Sequence, residues 1–511
     1  MRARIPVPHG ARLATAAVAG GILPLALVAG TTPALSTAAP AHTGVGSGWS
    51  GKWLSGATTS AATTLAQVRT TIGADTGTAA TLTGKGVGIA LIDTGIAPVP
   101  GIPASQVVNG PDLSFESQSS SLRYLDTYGH GTHMAGIIVG NDTATGTKGL
   151  APGAKLTSIK VGTANGAVDV TQMIAAIDWV VKNRNYDSAN PIKIISLSYG
   201  TGGNPDVWND PMSLAVQQAV NAGITVVAAA GNQGNNYGKL TQPAADYFAV
   251  SVGATAPNGT TAPGDDTLAT FTNTSTNGRP LDVVAPGTSI ASLRVPGSNI
   301  DNAFSTARMG ETLFRGSGTS QAAAVTAAAA ALVLQARPTL TPAQLKSVLA
   351  QGTYLPQQTS LAQGANQLNV NTALTAIAQS PYVPTVSDGT GLLEATRGSS
   401  HVVANNVTLT GQNSIFGPFD ATAWSTKAKA QTTWSGGTWM GYRMAADGWT
   451  GTSFASKTWG AATWSGGSWG GTANWSDPAW TGRAWSGRAW SAGTWSGRYW
   501  SSDDWSSAYW G

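Results

Sequence analysis

Short, unbroken apolar runs punctuate the middle of this chain, at Gly86–Ile92, Ile192–Leu197, Ile224–Ala230 and Phe248–Val252. They are rich in Val and Ile and bounded by polar or glycine-containing segments, as strands buried on both faces should be. Stretches of a different period lie between them. Asp169 is placed to cap a helix in which Val170, Met173, Ile174, Ile177, Val180 and Val181 recur at helical spacing. A second helix is expected from Pro211 to Ala222, stopping at Gly223, where a left-handed cap favours glycine. Strands alternating with helices predict an α/β fold with a mainly parallel sheet covered on both faces.

The two ends break this pattern. Arg2, Arg4 and Arg12 precede an apolar run from Leu13 to Gly30, then small residues up to Ala41. This is the layout of a signal peptide over 1–41, with cleavage after Ala38 or Ala41. The alternative, an uncleaved anchor, fits a run interrupted by Gly20, Gly21 and Pro24 less well. No other segment reads as long and apolar enough to span a bilayer. Residues 42–80, rich in Gly, Ser, Thr and Ala, read as a linker or short pro-segment, and 81–380 as the folded domain. The region 381–511 is different again: from Trp459 to Trp510 a tryptophan recurs about every five residues, as in WSGRAWSAGTWSGRYW at 485–500. That period matches neither helix nor strand, so two readings stand. A turn at each Ser-Gly brings the rings to one face of a β-rich tail, able to stack on sugars or a cell wall; or the tail is low-complexity sequence without fixed structure. Trp49 and Trp53 echo the pattern ahead of the domain.

Composition narrows the chemistry. Apolar residues make up 42% of the chain and charged ones only 10%, with a net charge of +4 and no Lys/Arg run, so nucleic acid is not an expected partner. There is no cysteine, which removes disulfides, thiolate metal sites and a cysteine nucleophile. Three short segments then carry candidate catalysis. IDTGI at 92–96 ends the first apolar run on Asp93, where open parallel sheets place functional groups. DTYGHGTHMAG at 126–136 sets His130 between two glycines before an apolar stretch. GSGTSQAAAVTAAAAAL at 316–332 puts Ser320 at the head of an alanine-rich helix, whose first N–H groups are unpaired and can meet an anion. Each alone is an ordinary cap or turn. Together they stand in the order Asp, His, Ser, one of the chain orders known for a nucleophilic serine with its base and orienting acid.

IDTGI, GHGTHMAG and GTSQAA resemble, in order, the three signature segments of the subtilisin-like (subtilase) serine peptidases. The resemblance covers about residues 70–378. It implies a three-layer subtilisin-like fold, a secreted serine endopeptidase with Asp93, His130 and Ser320 as its triad, and proteins or peptides as substrates. ITVVAAAGNQG at 224–234 is similar to the family's oxyanion segment and assigns Asn232 as side-chain donor, with the backbone N–H of Ser320 as the second. IISLSYG at 194–200 resembles the family's edge segment for an extended substrate, giving Ser198 and Gly200 that role, while Ala229, Ala230 and Gly231 resemble the floor of an apolar side-chain pocket. His133 is read as a packed helix residue. Asp126 fits a family position beside the histidine and is given no chemistry. No cofactor is expected; structural calcium, which some relatives bind, finds no Asp-rich ligand spacing here. Two departures stand out: the turn after Ser320 lacks the family's usual proline, and only about 40 residues separate the signal from the domain, short for a folding pro-domain. The competing functional class is a surface- or carbohydrate-binding protein led by its Trp-rich tail.

Overall fold

Eight of the strands lie side by side and parallel. We label them β1 (Gly88–Asp93), β2 (Val107–Asp112), β3 (Lys155–Lys160), β4 (Ile192–Leu197), β5 (Thr225–Ala229), β6 (Val250–Ala256), β7 (Val283–Pro286) and β8 (Asn366–Gln367), in the spatial order β8-β7-β6-β5-β4-β1-β3-β2. A ninth strand, Thr267–Leu268, adds to β6 in the antiparallel sense. The computed structural model describes residues 61–444 apart from 118–121, 276–277, 356–364, 381–385, 405–406 and 436–437, and two further strands, Ala455–Ser456 and Trp495–Gly497. The expected signal peptide 1–41, Trp49, Trp53 and nearly all of the Trp repeat lie outside the described residues. Trp495–Gly497, one W-S-G unit, pairs antiparallel with Val402–Ala404.

Alternation along β1 makes the sandwich. Ala90 and Ile92 face one apolar cluster, Ile89 and Leu91 the other, because successive strand side chains point to opposite faces. On the first face lie helices α3 (Val170–Asn183) and α4 (Pro211–Asn221); on the second lie α2 (His130–Val139) and α5 (Thr319–Ala336). Helix α3 starts where expected, capped by Asp169 in a capping box with Gln172, and α4 ends before Gly223 at φ +84°. Helix α5 corrects one expectation: with a mean hydropathy of 1.3 over 18 residues it is apolar and long enough to cross a bilayer. It is instead a core helix, buried from Thr319 to Leu334, its alanines allowing close approach to the sheet. The chain runs from β1 out to β2 and β3, then crosses to β4 on the other side of β1. The carboxyl end of β1 is thus the switch point where open α/β sheets bind ligands.

The domain is wider at both ends than composition suggested. Residues 61–80, read as linker or pro-segment, are folded onto the sheet from Thr63 onward. Helix α1 (Leu65–Thr71), capped by a Thr64–Gln67 box, buries Leu65 and Val68, and Ile72 follows them into the core. Their spacing of three and four residues is a helical stripe that the small polar residues around it obscured. At the other end, residues 386–442 share the core of the α3/α4 face. Arg397 and Asp169, both fully buried, pair at 2.8 Å, and the same guanidinium donates to the carbonyls of Gly411 (3.0 Å) and Asn413 (2.8 Å). Helix α6 (Ala421–Lys429) contributes Trp424, whose indole N–H donates to Asp178 Oδ2 at 2.9 Å. Trp439 donates to the same oxygen at 2.8 Å, and Trp434 to the Ala175 carbonyl at 2.8 Å. Both partners are on α3, so three tryptophans hold one helix.

Removing one member of a buried ion pair leaves the other charge uncompensated, so Arg397→Met is expected to cost about 3–5 kcal/mol in urea unfolding. Asp178 gives a pH signature. Burial pushes its carboxyl up to about 6, against the pull of the bonds from Trp439, Trp424 and Thr433. The folded chain therefore keeps a proton that the unfolded chain, near 3.8, has released, and this group's contribution to stability falls as pH rises from about 4 to about 6. Asp178→Asn, which keeps the acceptor and removes the titration, should gain stability relative to the unmutated protein across that window in paired melts.

Candidate active site

The end of β1 and the start of α2 meet with no side chain between them. A Cβ on Gly131 would lie 2.1 Å from the Gly95 carbonyl oxygen, so only glycine permits this approach. Gly129 caps α2 at φ +106°, a left-handed conformation that glycine adopts without strain. His130 is consequently the first residue of the helix, and its Nδ1 lies 2.7 Å from Asp93 Oδ1, both side chains about 1% exposed. Beside that carboxylate Nδ1 carries the proton and donates. Asp93 Oδ1 also accepts from the Thr94 N–H at 2.7 Å, which fixes the carboxylate plane.

Asp126, to which the sequence assigned no chemistry, braces this junction. Its Oδ1 accepts from Thr94 Oγ1 (2.8 Å) and the Gly129 N–H (2.7 Å), and its Oδ2 from the Thr132 N–H (2.8 Å) and Oγ1 (2.7 Å). Burial pushes its pKa up, and the bonds from Thr132 and Gly129, with the Lys160 ammonium, oppose the push. Thr94 Oγ1 in turn accepts from the Gly131 N–H at 2.9 Å. The segment 298–300 adds a second brace from outside, the N–H groups of Asn299 and Ile300 donating to the carbonyls of Thr127 and Tyr128 at 3.1 Å each. His133 packs as expected. Its Nε2 is 3.1 Å from the Phe314 carbonyl, and burial, with His130 nearby, pushes its pKa down to about 3, so it stays neutral.

Ser320 and Asn232 are joined by the same economy. Beyond β5 the chain turns at Gly231 (φ +107°), whose N–H donates to Thr319 Oγ1 at 3.2 Å. Asn232 Oδ1 accepts from the Thr319 N–H (2.9 Å) and Oγ1 (2.8 Å), which commits the oxygen inward and turns the amide nitrogen toward the helix start. A methyl-sized probe at the Cβ position of Gly318 would sit 3.5 Å from Asn232 Nδ2 and 3.7 Å from the Ser320 N. Two donors therefore flank one small space at the head of α5, and Ser320 occupies the first turn there with 1% exposure. That is an arrangement able to hold an oxygen anion.

The remaining expected site residues are less open than the sequence suggested. β4 is an interior strand, between β1 and β5, so Ser198 and Gly200 lie past its carboxyl end rather than on a sheet edge. Ser198 is 2% exposed, and a side chain on Gly200 would strike Thr241 Oγ1. Ala230 is fully buried in the α3/α4 cluster, and Gly231 packs against Asn273 and Gln233. Thr201, just beyond, donates from Oγ1 to the Thr396 carbonyl at 2.5 Å, so residues C-terminal to 386 support this segment. The sequence placed Asp126 beside the histidine without its bracing role, and no sequence signal placed Thr94 or 298–300 there, because they act through contacts distant in sequence. Among the described residues no three His, Cys, Asp or Glu side chains are grouped to hold a metal ion. Gly131→Ala is the most direct probe of the junction: it is expected to cost about 1–3 kcal/mol and to displace His130 from Asp93, seen as a lowered melting temperature.

With this geometry in place, residues 84–374 match the model of the subtilase family. The chain is 35% identical over 280 residues to serine protease AprX of Bacillus subtilis (strain 168), covering 53% of this chain and 62% of that protein. It is 35% identical over 270 residues to the minor extracellular protease Epr of the same organism, covering 52% of this chain but 34% of that one. It is 32% identical over 272 residues to subtilisin Savinase of Lederbergia lenta, covering 52% of this chain and 83% of that one. The match thus spans less than two thirds of the length of the first two relatives. The shared segment is the sheet and helices that carry Asp93, His130, Asn232 and Ser320, and the chain belongs to the subtilase family.

Proposed function

We propose that this protein is a secreted serine endopeptidase that cleaves peptide bonds through Asp93, His130 and Ser320. The observation that carries the reading is the 2.7 Å contact between Asp93 Oδ1 and His130 Nδ1 at the switch point of the sheet. A serine hydroxyl is a weak nucleophile at neutral pH, so it needs a base. With Nδ1–H committed to Asp93, His130 keeps Nε2 as the basic nitrogen. It takes the Ser320 proton as Oγ attacks the carbonyl carbon, and Asp93 stabilises the imidazolium that forms. The tetrahedral oxyanion accepts from Asn232 Nδ2 and the Ser320 N–H. His130 then returns the proton to the leaving amine, and water releases the acyl group by the same steps in reverse roles. Loss of one such donor costs about 10²–10³ in kcat, a magnitude established on a subtilisin.

Substrate and location follow more coarsely. The likeness of Ala229, Ala230 and Gly231 to the floor of the family's side-chain pocket supports a preference for large apolar side chains before the scissile bond, and the N-terminal Arg-then-apolar layout supports export, as does the word extracellular in the name of Epr. The competing reading, a surface or carbohydrate binder led by its tryptophans, gains nothing from Trp424, Trp434 and Trp439, whose rings are buried against α3. The test is hydrolysis of casein and a fluorogenic peptide by purified protein. Turnover is expected in the unmutated chain and a loss of at least about 10⁴-fold in Ser320→Ala. Equal turnover by the two proteins would overturn the triad assignment, and a folded unmutated chain that cleaves nothing would favour the binding protein.

A further inference from the structure

Gln is the third helical residue in four helices of this protein, and in three of them it does the same work. Gln67 in α1, Gln172 in α3 and Gln344 in the helix Pro342–Ala350 each turn back to accept from the backbone N–H of the capping residue. Gln321, the third residue of α5, does not. The capping residue there is Gly318, and its N–H is already taken by the Gly287 carbonyl at 2.8 Å. The Gln321 side chain is fully buried, yet among the described residues neither its amide oxygen nor its amide nitrogen has a hydrogen-bond partner. An orphaned amide in a core helix lowers stability, and among the buried side chains that lack a partner Gln321 is one whose oxygen and nitrogen both do, which a catalytic role would explain.

Its position says which ligand. Gln321 Oε1 lies 2.8 Å from the Cβ position of Gly318, the same point that lies 3.5 Å from Asn232 Nδ2 and 3.7 Å from the Ser320 N. Gly318 has φ 164°, extended backbone that any residue adopts, so what glycine supplies there is the space itself. Three polar groups therefore border one small volume beside the candidate nucleophile. A half-turn of the terminal amide exchanges Oε1 for Nε2 without moving any other atom, and no existing bond resists it. We propose that Gln321 is a third donor to the oxyanion, presenting Nε2 to the developing negative charge beside Asn232 Nδ2 and the Ser320 N–H. The inference rests on the serine-peptidase reading and deepens it. In the resting site the amide has no anion to meet, so its bond forms only as charge builds, which is the condition for raising kcat rather than lowering KM.

Gln321→Leu, similar in size and apolar, separates this role from a structural one. The expected result is a fall in kcat of about 10–100-fold with KM within about threefold. A peptidyl trifluoromethyl ketone, which forms a hemiketal oxyanion on the serine, should weaken by a similar factor, while a non-cleavable substrate analogue should bind unchanged. The melting temperature should stay level or rise, because an orphaned polar group has been removed. Gln321→Glu, nearly isosteric, guards against a failure to fold and should lose at least as much kcat at neutral pH, its carboxylate opposing the oxyanion. An active unmutated enzyme with kcat in Gln321→Leu or Gln321→Glu within twofold of its own would overturn this role and leave the triad standing. So would an unweakened ketone inhibitor. An unmutated enzyme that neither turns over nor binds the ketone would remove the function reading and this inference together.

Discussion

Everything at the candidate site depends on how closely β1 and α2 are allowed to approach. The strand ends and the helix begins within the reach of one hydrogen bond, from Asp93 Oδ1 to His130 Nδ1 at 2.7 Å, and Gly131 against the Gly95 carbonyl makes that approach sterically open. The junction is held by several buried hydrogen bonds at once. Asp126 gathers four bonds from Thr94, Gly129 and Thr132, and Thr94 Oγ1 accepts one from the Gly131 N–H. Such a densely bonded buried network holds an imidazole within a fraction of an ångström, which is what proton transfer requires. The same device recurs at the second junction, where Asn232 spends its oxygen on Thr319 so that its nitrogen faces the head of α5.

The C-terminal segment changes how the catalytic layer is supported. Arg397 pairs with the carboxylate that caps α3, and Thr396 bonds to Asp210, the residue that caps α4. Trp424 and Trp439 converge on Asp178 in the middle of α3. Residues 386–442 thus tie down the N-terminal ends of both helices on one face of the sheet, and through Thr396 they also hold Thr201, beyond the end of β4. In a chain without disulfides, these buried polar anchors and indole rings join segments 186 to 261 residues apart in sequence.

Much of this architecture was written locally. The runs that became β1, β4, β5 and β6 were continuous and apolar, and Asp169 with the stripe from Val170 to Val181 marked α3 to within two residues of its observed end at Asn183. What escaped was written in space. β3 reads as polar, KLTSIK, because it buries Thr157, Ser158 and Lys160, and the Lys160 ammonium is satisfied by the Thr94 carbonyl and by Glu116, which no periodicity reveals. Helix α1 hid its stripe among small polar residues, and the Arg397–Asp169 pair spans 228 positions. At the site, motif order named Asp93, His130, Ser320 and Asn232. It could not mark Gln321, whose meaning lies in the lack of a partner and in the glycine that leaves room beside it.

The proposed function stands or falls with Ser320 as the activated nucleophile of this site. The most direct measurement is peptide mapping by mass spectrometry after reaction with a fluorophosphonate, which requires an activated serine and forms a stable adduct on it. One adduct per chain is expected, on the peptide containing Ser320, and none after His130→Ala. An adduct on another serine, or undiminished labelling without His130, would contradict it.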